Sequence, residues 1–284
     1  MKLFTVFGSP ISHSLSPIIH QAFAEQFDIK LTYTRTLAPP KTFPQQLLSF
    51  KNTQNKIAIG ANITAPLKQI AFTLCDQLSP RAQLAESVNT VYWDPQNQNV
   101  LIGDNTDGIG FERDIYQNNQ QQFENQNILI IGAGGAALGI LPAILKHQPS
   151  SIYIYNRTET RAKYLCEKYN QVQSPLKIKY ILHDDRDLNL QFDWVINTAG
   201  QFDLLENLIF KKLKLAGAKF FDLSYAQSGL TDFLEKAQSF RPTWMNDGLG
   251  MLVEQAAESF YVWHQCKPET KKLLKDIKSK PTSP

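Results

Sequence analysis

Cysteine is scarce in this chain of 284 residues: Cys75, Cys166 and Cys266 are the whole set, and no two form a C-x-x-C pair. An odd, scattered set builds neither a zinc site nor a disulfide framework, and it fits a reducing cytoplasm. Long apolar runs are also missing, since nothing approaches the roughly 18 consecutive apolar residues of a membrane-spanning helix. The opening MKLFTVFG is too short for a secretory h-region and lacks a small-residue cleavage site. A soluble, cytoplasmic protein is therefore expected. Charge of one sign is in short supply too. With 29 basic and 26 acidic residues the net charge is only +3, and no Lys/Arg cluster falls among aromatics, so no nucleic-acid partner is expected. The small positive excess favours anionic small molecules weakly.

What is present suits one large or two modest globular domains: 43% of residues are hydrophobic and 19% charged. Residues 2–8, 31–37 and 56–64 read as strands, and 16–27, 43–50 and 66–78 carry apolar residues at helical spacing. Ser16-Pro17 reads as an N-cap with proline at the first helical position, and Thr64 to Pro66 repeats that logic. Such alternation predicts βαβ units and a largely parallel sheet. Residues 88–93 and 99–103 read as a hairpin around the turn-rich 94–98, and a helix is expected from about Thr106. The polar run 116–127 reads as a surface loop ahead of a second unit. That unit opens with the apolar run 127–132 and continues with strand candidates at 151–156, 177–182, 192–197 and 217–225. An apolar-faced helix spans 249–264, and the Lys-rich end reads as a solvated helix face or frayed terminus.

Gly132-Ala133-Gly134-Gly135-Ala136-Ala137 fits G-x-G-x-x-A, directly after a buried-strand pattern and at the start of a helix. There the first glycine permits a tight turn, the second lets backbone approach a pyrophosphate, and Ala137 lets helix and strand pack closely. Phosphates would lie on the helix N-terminus. An NAD site would end the next strand in Asp or Glu, whereas this chain has Tyr155-Asn156-Arg157-Thr158, with Arg161 a turn further on. Arginine pairs with a 2′-phosphate that a carboxylate would repel, so the cofactor expected is NADP(H). Lys68 lies in the first turn of a helix, where the dipole disfavours a cation. The cluster Gly103-Asp104-Asn105-Thr106-Asp107-Gly108 offers it a partner. Asp104 is assigned to turn or capping work and Asp107 to Lys68, giving a pair able to donate a proton as hydride reaches a ketone.

Taken together, GSPISHSLSPIIH (8–20), NITAPLK, SVNTV, GDNTDGIG, GAGGAA, NRT and NDGLGMLVEQAA resemble the shikimate dehydrogenase family in order and approximate spacing over nearly the whole chain. The resemblance implies an α/β fold of two domains flanking a cleft. Residues 1–106, completed by helices in 248–284, would form a substrate domain with a mostly parallel sheet, and 107–247 a Rossmann-like NADP-binding domain. The implied activity is NADPH-dependent reversible reduction of 3-dehydroshikimate to shikimate by a monomer or homodimer. A quinate/shikimate dehydrogenase accepting NAD and a non-catalytic NADP-binding regulator are the alternatives. Carried over, Lys68 and Asp107 match the catalytic pair; Ser14 and Ser16 match ligands of the substrate carboxylate. Thr64, Asn89 and Gln255 match contacts to its hydroxyl or ring oxygens. Gly132, Ala133, Gly134, Gly135, Ala136, Asn156, Arg157, Thr158 and Arg161 match cofactor contacts, and Tyr225 and Gly248 match positions near nicotinamide and substrate. In an extended segment, Ser14 and Ser16 would turn both hydroxyls to one side. His13 is expected to be structural. Three departures stand out. Glu86 places a charge near the approach to the substrate pocket; the stretch from Asn197 to Gly200 is short; and Ala226-Gln227 lacks the family's frequent proline.

Overall fold

The computed structural model describes residues 2–53, 57–171, 176, 178–182, 189–200, 213–226 and 228–279. Lys56, Lys177, Gln227 and the tail 280–284, all touched by the sequence reading, lie outside that set. The first half runs β1 (Lys2–Gly8), α1 (Ser16–Glu25), β2 (Leu31–Leu37), α2 (Phe43–Lys51), β3 (Ile57–Ile63), α3 (Lys68–Leu74), β4 (Gln77–Leu78), α4 (Pro80–Ala85), β5 (Thr90–Trp93) and β6 (Leu101–Asp104). Its six strands form one sheet in the order β2-β1-β3-β5-β6-β4. Strands β1, β2 and β3 pair in parallel, as do β4 and β6. Strand β5 runs antiparallel to both its neighbours, because it forms the hairpin with β6. The sheet is thus mixed, with a parallel majority.

The second half continues with α5 (Asp107–Arg113), a π-helical turn at Asp114–Asn118, β7 (Asn127–Ile131), α6 (Gly135–Lys146), β8 (Ser151–Tyr155), α7 (Glu159–Gln171), β9 (Ile178–Ile181), β10 (Trp194–Asn197), β11 (Lys219–Asp222), α8 (Asp232–Ala237) and β12 (Trp244–Asp247). These strands form an all-parallel sheet in the order β12-β11-β10-β7-β8-β9. Numbered within the sheet that is 3-2-1-4-5-6 read from β9, the doubly wound order of dinucleotide-binding folds. Its switch point lies between β7 and β10, where the glycine turn begins. Strand β7 is buried from Ile128 onward, as a central parallel strand covered on both faces must be.

Helix α9 (Leu249–His264) follows β12 in sequence yet packs on the first sheet, where Val253, Ala256 and Phe260 join Phe4, Ile19 and Phe23 in one core. A last helix, α10 (Lys271–Ser279), lies beyond it with no buried residue. No helix among the described residues is long and apolar enough to cross a membrane.

Several boundaries differ from the sequence reading. Helix α1 starts one residue early, with Leu15 at the N-cap and Ser16 already helical. Helix α3 starts only at Lys68 and stops at Leu74, because Cys75 turns extended and leads into β4. The polar run after α5 is no plain surface loop. Phe123 is 1% exposed and stacks on Phe111, while Gln122 O accepts a bond from Trp194 Nε1. One aromatic residue anchors a segment whose composition reads as solvated.

Candidate active site

Lys68 and Asp107 arrive from opposite sides of the seam between the two halves. Lys68 is the first residue of α3 and Asp107 the first of α5; Lys68 Nζ donates to Asp107 Oδ2 at 2.7 Å. Their side chains are 15% and 4% exposed, so water screens this pair poorly while the amine stays reachable.

Asn89 holds the other carboxylate oxygen. Its Nδ2 donates to Asp107 Oδ1 at 2.8 Å and lies 3.1 Å from Gln255 Oε1; its Oδ1 accepts from Thr106 N at 2.9 Å. The backbone N–H of Asp107 donates to Asn105 Oδ1, and Asn105 Nδ2 donates to Ser87 O. Thr106 and Asn105 thereby tie the start of α5 to the segment leading into β5. A second polar layer lies behind. Asn62 Nδ2 donates to Asn89 O, Thr90 Oγ1 and Ser259 Oγ, and its Oδ1 accepts from Tyr33 at 2.6 Å. Burial pushes the Tyr33 phenol well above its ordinary range, against a hydrogen bond with Ser16, so Tyr33 remains a donor.

Ser14 Oγ donates to Ser16 Oγ at 3.1 Å, so the two hydroxyls do meet, although at a helix start and not along an extended strand. Arg35 Nε donates to Ser14 O, and Tyr225 Oη, from the segment after β11, lies 3.4 Å from His13 O. The serine segment therefore touches the second half through Tyr225. Thr64 closes the turn after β3: its N–H donates to Phe7 O and its carbonyl accepts from Leu67 N. Gln255 lies on α9, near enough to Thr106 Oγ1 for a 3.3 Å contact. Lys68, Asp107, Asn89 and Gln255 thus form one hydrogen-bonded set, while Ser14 and Ser16 pair with each other and Tyr225 reaches the same segment at His13 O.

The glycine turn stands at the tip of β7. Gly132 has φ of +104°, a region only glycine enters freely. Its N–H donates to Tyr155 O, joining the tips of β7 and β8. A Cβ on Gly134 would meet nothing within 4 Å, leaving an open approach to the start of α6, a helix of 12 residues. Ala133 N donates to Asn156 Oδ1, and Asn156 Nδ2 to Thr158 O, so Asn156 braces the turn against the end of β8. Arg157, Thr158 and Arg161 are exposed around that end. An open glycine turn, uncommitted N–H groups at a helix start and cations beside the next strand fit a dinucleotide with an additional phosphate. Gly135 and Ala136 are the first two residues of α6, half-buried, and Ser87 Oγ donates to Gly135 O. Gly248 lies away from this turn, at the N-cap of α9. A Cβ there would come within 2.6 Å of the Leu223 carbonyl carbon, so the packing at this position requires a glycine.

Asp104 does more than shape a turn. It accepts from Asn105 N, but also from Arg81 Nε at 2.7 Å and Nη2 at 2.6 Å, and from the Ser79 hydroxyl. Burial opposes ionisation of Asp104, yet Arg81 outweighs it and keeps the carboxyl below its usual range. Arg81 continues to Glu258 on α9, which also accepts from Arg113. Sequence reading missed the ionic network of Arg81, Asp104, Arg113 and Glu258 because those four lie in separate elements with no local spacing in common. After β10, Thr198 Oγ1 donates to Ile131 O, while residues 201–212, needed to judge the length of that loop, lie outside the described set. Ala226 N donates to Asp247 Oδ2. Glu86, expected near the substrate approach, pairs with Tyr164 and Lys168 of α7.

Three family models match in chain order: the shikimate dehydrogenase substrate binding domain over residues 6–91, shikimate / quinate 5-dehydrogenase over 114–201, and the shikimate 5'-dehydrogenase C-terminal domain over 248–275. The NADP(+) shikimate dehydrogenase of Nitrosospira multiformis is 38% identical, the alignment covering 99% of each chain. A solved shikimate dehydrogenase in complex with NADP+ superposes with a TM-score of 0.80 at 27% identity, covering 100% of this chain and 96% of the other. The Thermus thermophilus enzyme in complex with shikimate gives 0.77 at 26%, covering 98% of both. Similarity of this extent along the full length of both proteins means that the chain belongs to the shikimate dehydrogenase family.

Proposed function

We propose that this chain is an NADP-dependent shikimate dehydrogenase, a cytoplasmic monomer or homodimer that reversibly reduces 3-dehydroshikimate to shikimate. The observation that carries this reading is the 2.7 Å contact between Lys68 and Asp107. The amine stands at the seam where one half presents polar side chains and the other an open glycine turn. Residues 1–106 with the helices of 248–284 would bind substrate, and 107–247 the cofactor.

When bound, NADPH supplies the hydride. Lys68 holds a proton on Nζ and delivers it to the carbonyl oxygen of the substrate as that oxygen gains negative charge. Asp107 holds the amine in place and aimed, and Asn89 fixes the carboxylate from its other side. In the oxidative direction the same amine, in its neutral form, takes the hydroxyl proton. Ser14 and Ser16 offer two neutral donors for the substrate carboxylate without another charge beside the Lys68–Asp107 pair. Thr64, Asn89, Tyr225 and Gln255 are assigned to the substrate's oxygens. Gly132 to Ala136, with Asn156, Arg157, Thr158 and Arg161, would hold the cofactor. Gly248 would border the nicotinamide.

The test is spectrophotometric: NADPH formation from shikimate and NADP, compared with quinate and with NAD. Turnover dominated by shikimate and NADP is expected. Strong quinate or NAD activity would replace the substrate and cofactor assignment, and NADPH binding without turnover would leave a non-catalytic binding protein.

A further inference from the structure

Glu86 closes α4 in a left-handed conformation, with φ of +46°. Its side chain leaves the first half altogether. Oε1 lies 3.1 Å from Lys168 Nζ, and Oε2 accepts a hydrogen bond from the Tyr164 hydroxyl. Both partners are on α7, in the layer of the second sheet. Beside them Tyr169, 2% exposed, lies with its hydroxyl 3.2 Å from both Leu84 O and Leu138 O, so α7 meets the end of α4 at three side chains. Lys168 is largely buried, its side chain 14% exposed, and among the described residues Glu86 is the one carboxylate within ion-pair distance. Burial lowers the Lys168 amine from its ordinary value, with Glu86 opposing that shift. Burial would raise Glu86, but Tyr164 and Lys168 together hold it below the usual carboxylate range.

Tyr164 has a second surface. Its ring lines a cavity of about 140 Å³ together with Ala133 of the glycine turn, Arg161 and Leu165 of α7, and Gln69 of α3. The cavity therefore draws its walls from both halves. Residues 161, 164 and 168 stand at i, i+3 and i+7, on one face of α7. The face that Glu86 grips is the face that carries Arg161 toward the cofactor end.

We propose that Glu86 is a positioning residue for the cofactor: its hold on Tyr164 and Lys168 seats α7 against α4, so that NADPH affinity depends on a carboxylate supplied by the substrate half. The inference rests on the proposed placement of NADP at the glycine turn. It also gives the departure at Glu86 a role on the cofactor side of the seam.

The experiment measures NADPH dissociation constants by the fluorescence of the bound nucleotide, with kcat and KM for shikimate alongside, in wild type, Glu86→Gln, Glu86→Gly, Tyr164→Phe and the Glu86→Gln/Tyr164→Phe double variant. Losing a charge-assisted contact predicts an NADPH Kd about tenfold weaker in either Glu86 variant, with kcat and shikimate KM changing by less than about twofold. The double variant should be weakened by less than the sum of the two single effects, because both changes act on the one Glu86–Tyr164 contact. Glycine suits the left-handed position, so Glu86→Gly separates loss of the side chain from backbone strain. Should an unpaired Lys168 unfold these variants, Glu86→Gln/Lys168→Met removes that charge and permits the same measurement. An NADPH Kd within twofold of wild type, with or without a fall in melting temperature, would overturn the proposal, as would additive effects in the double variant. Wild type that neither binds NADPH nor oxidises shikimate would instead bring down the underlying function, and this inference with it.

Discussion

A Cβ built on Gly139 would lie 2.8 Å from Asp107 Oδ2 and 3.0 Å from Asp107 Cβ. Helix α6 thus offers the glycine turn at its start and, one turn later, a side-chain-free seat for the carboxylate that holds Lys68. Alanine at 139 would gain up to about 1 kcal/mol of helix propensity, but overpacking a pinned, buried group costs about 1–3 kcal/mol. Asp107 is 3% exposed and bonded on both oxygens, so it has little room to yield. Gly139→Ala should lower kcat by roughly tenfold or more, the loss expected from a displaced proton-transfer group, with NADPH affinity nearly unchanged. Wild-type kcat in this variant would show that the seat does not position Asp107.

Lys68→Ala removes the proposed proton donor but none of the cofactor contacts. The expected loss in kcat is about 10²–10⁴-fold, with NADPH binding intact by fluorescence titration. Near-normal turnover would end the assignment.

Ser14→Ala and Ser16→Ala each delete one donor to the substrate carboxylate. The KM for shikimate should rise by about tenfold in either variant, as for a hydrogen bond to a charged group, and more than the KM for NADP. Equal changes in both constants would place the serines away from the substrate.

Arg157 is exposed, so its contact with a 2′-phosphate is screened and its effect belongs at the low end for charge-assisted pairs. In Arg157→Ala the KM for NADP should rise by roughly tenfold while that for NAD moves less than about twofold. Parallel losses with both nucleotides would argue against reading of the extra phosphate.

His20 is 1% exposed and stacks on Tyr33 at a ring separation of 4.5 Å. Burial, opposed in part by Asn62, pushes it down from 6.5 to about 3. The unfolded chain therefore binds this proton first. Stability owed to neutral His20 is complete above about pH 6.5 and falls by about 1.4 kcal/mol per unit as pH drops toward 3. Asp114, raised by burial to about 6, acts in the opposite sense just below that pH, so the comparison must be internal. Urea unfolding of wild type and His20→Phe between pH 7 and 5 should show wild type losing ground to the variant as pH falls. A pH-independent difference would mean that His20 already takes its proton in the folded state.

Strands 2–8 and 31–37 were legible to the residue, because alternating or continuous apolar patterns and flanking turns state them locally. The glycine turn was legible for the same reason: strand, turn and helix stand together in six residues. Strand β4, two residues long, and β12, with the sequence WMND, escaped because neither carries a period. Helix α4 was masked by its shortness, and Phe123 by the ten Gln, Asn and Glu residues in the run from Tyr116 to Asn127.

By itself the chain determined its alternating elements, the open turn built on Gly132 and Gly134, and which residue types were available for proton transfer and anion binding. Those are properties of neighbours in sequence, set by backbone sterics and hydrophobic period. Only the tertiary structure decided that Lys68 meets Asp107 at 2.7 Å, that Asn89 and Gln255 share a hydrogen-bonded set, and that Glu86 turns toward α7. Each of these contacts joins elements distant in sequence. Their geometry depends on how α3, α5, α6 and α9 pack at the seam between the sheets, and no local pattern encodes that.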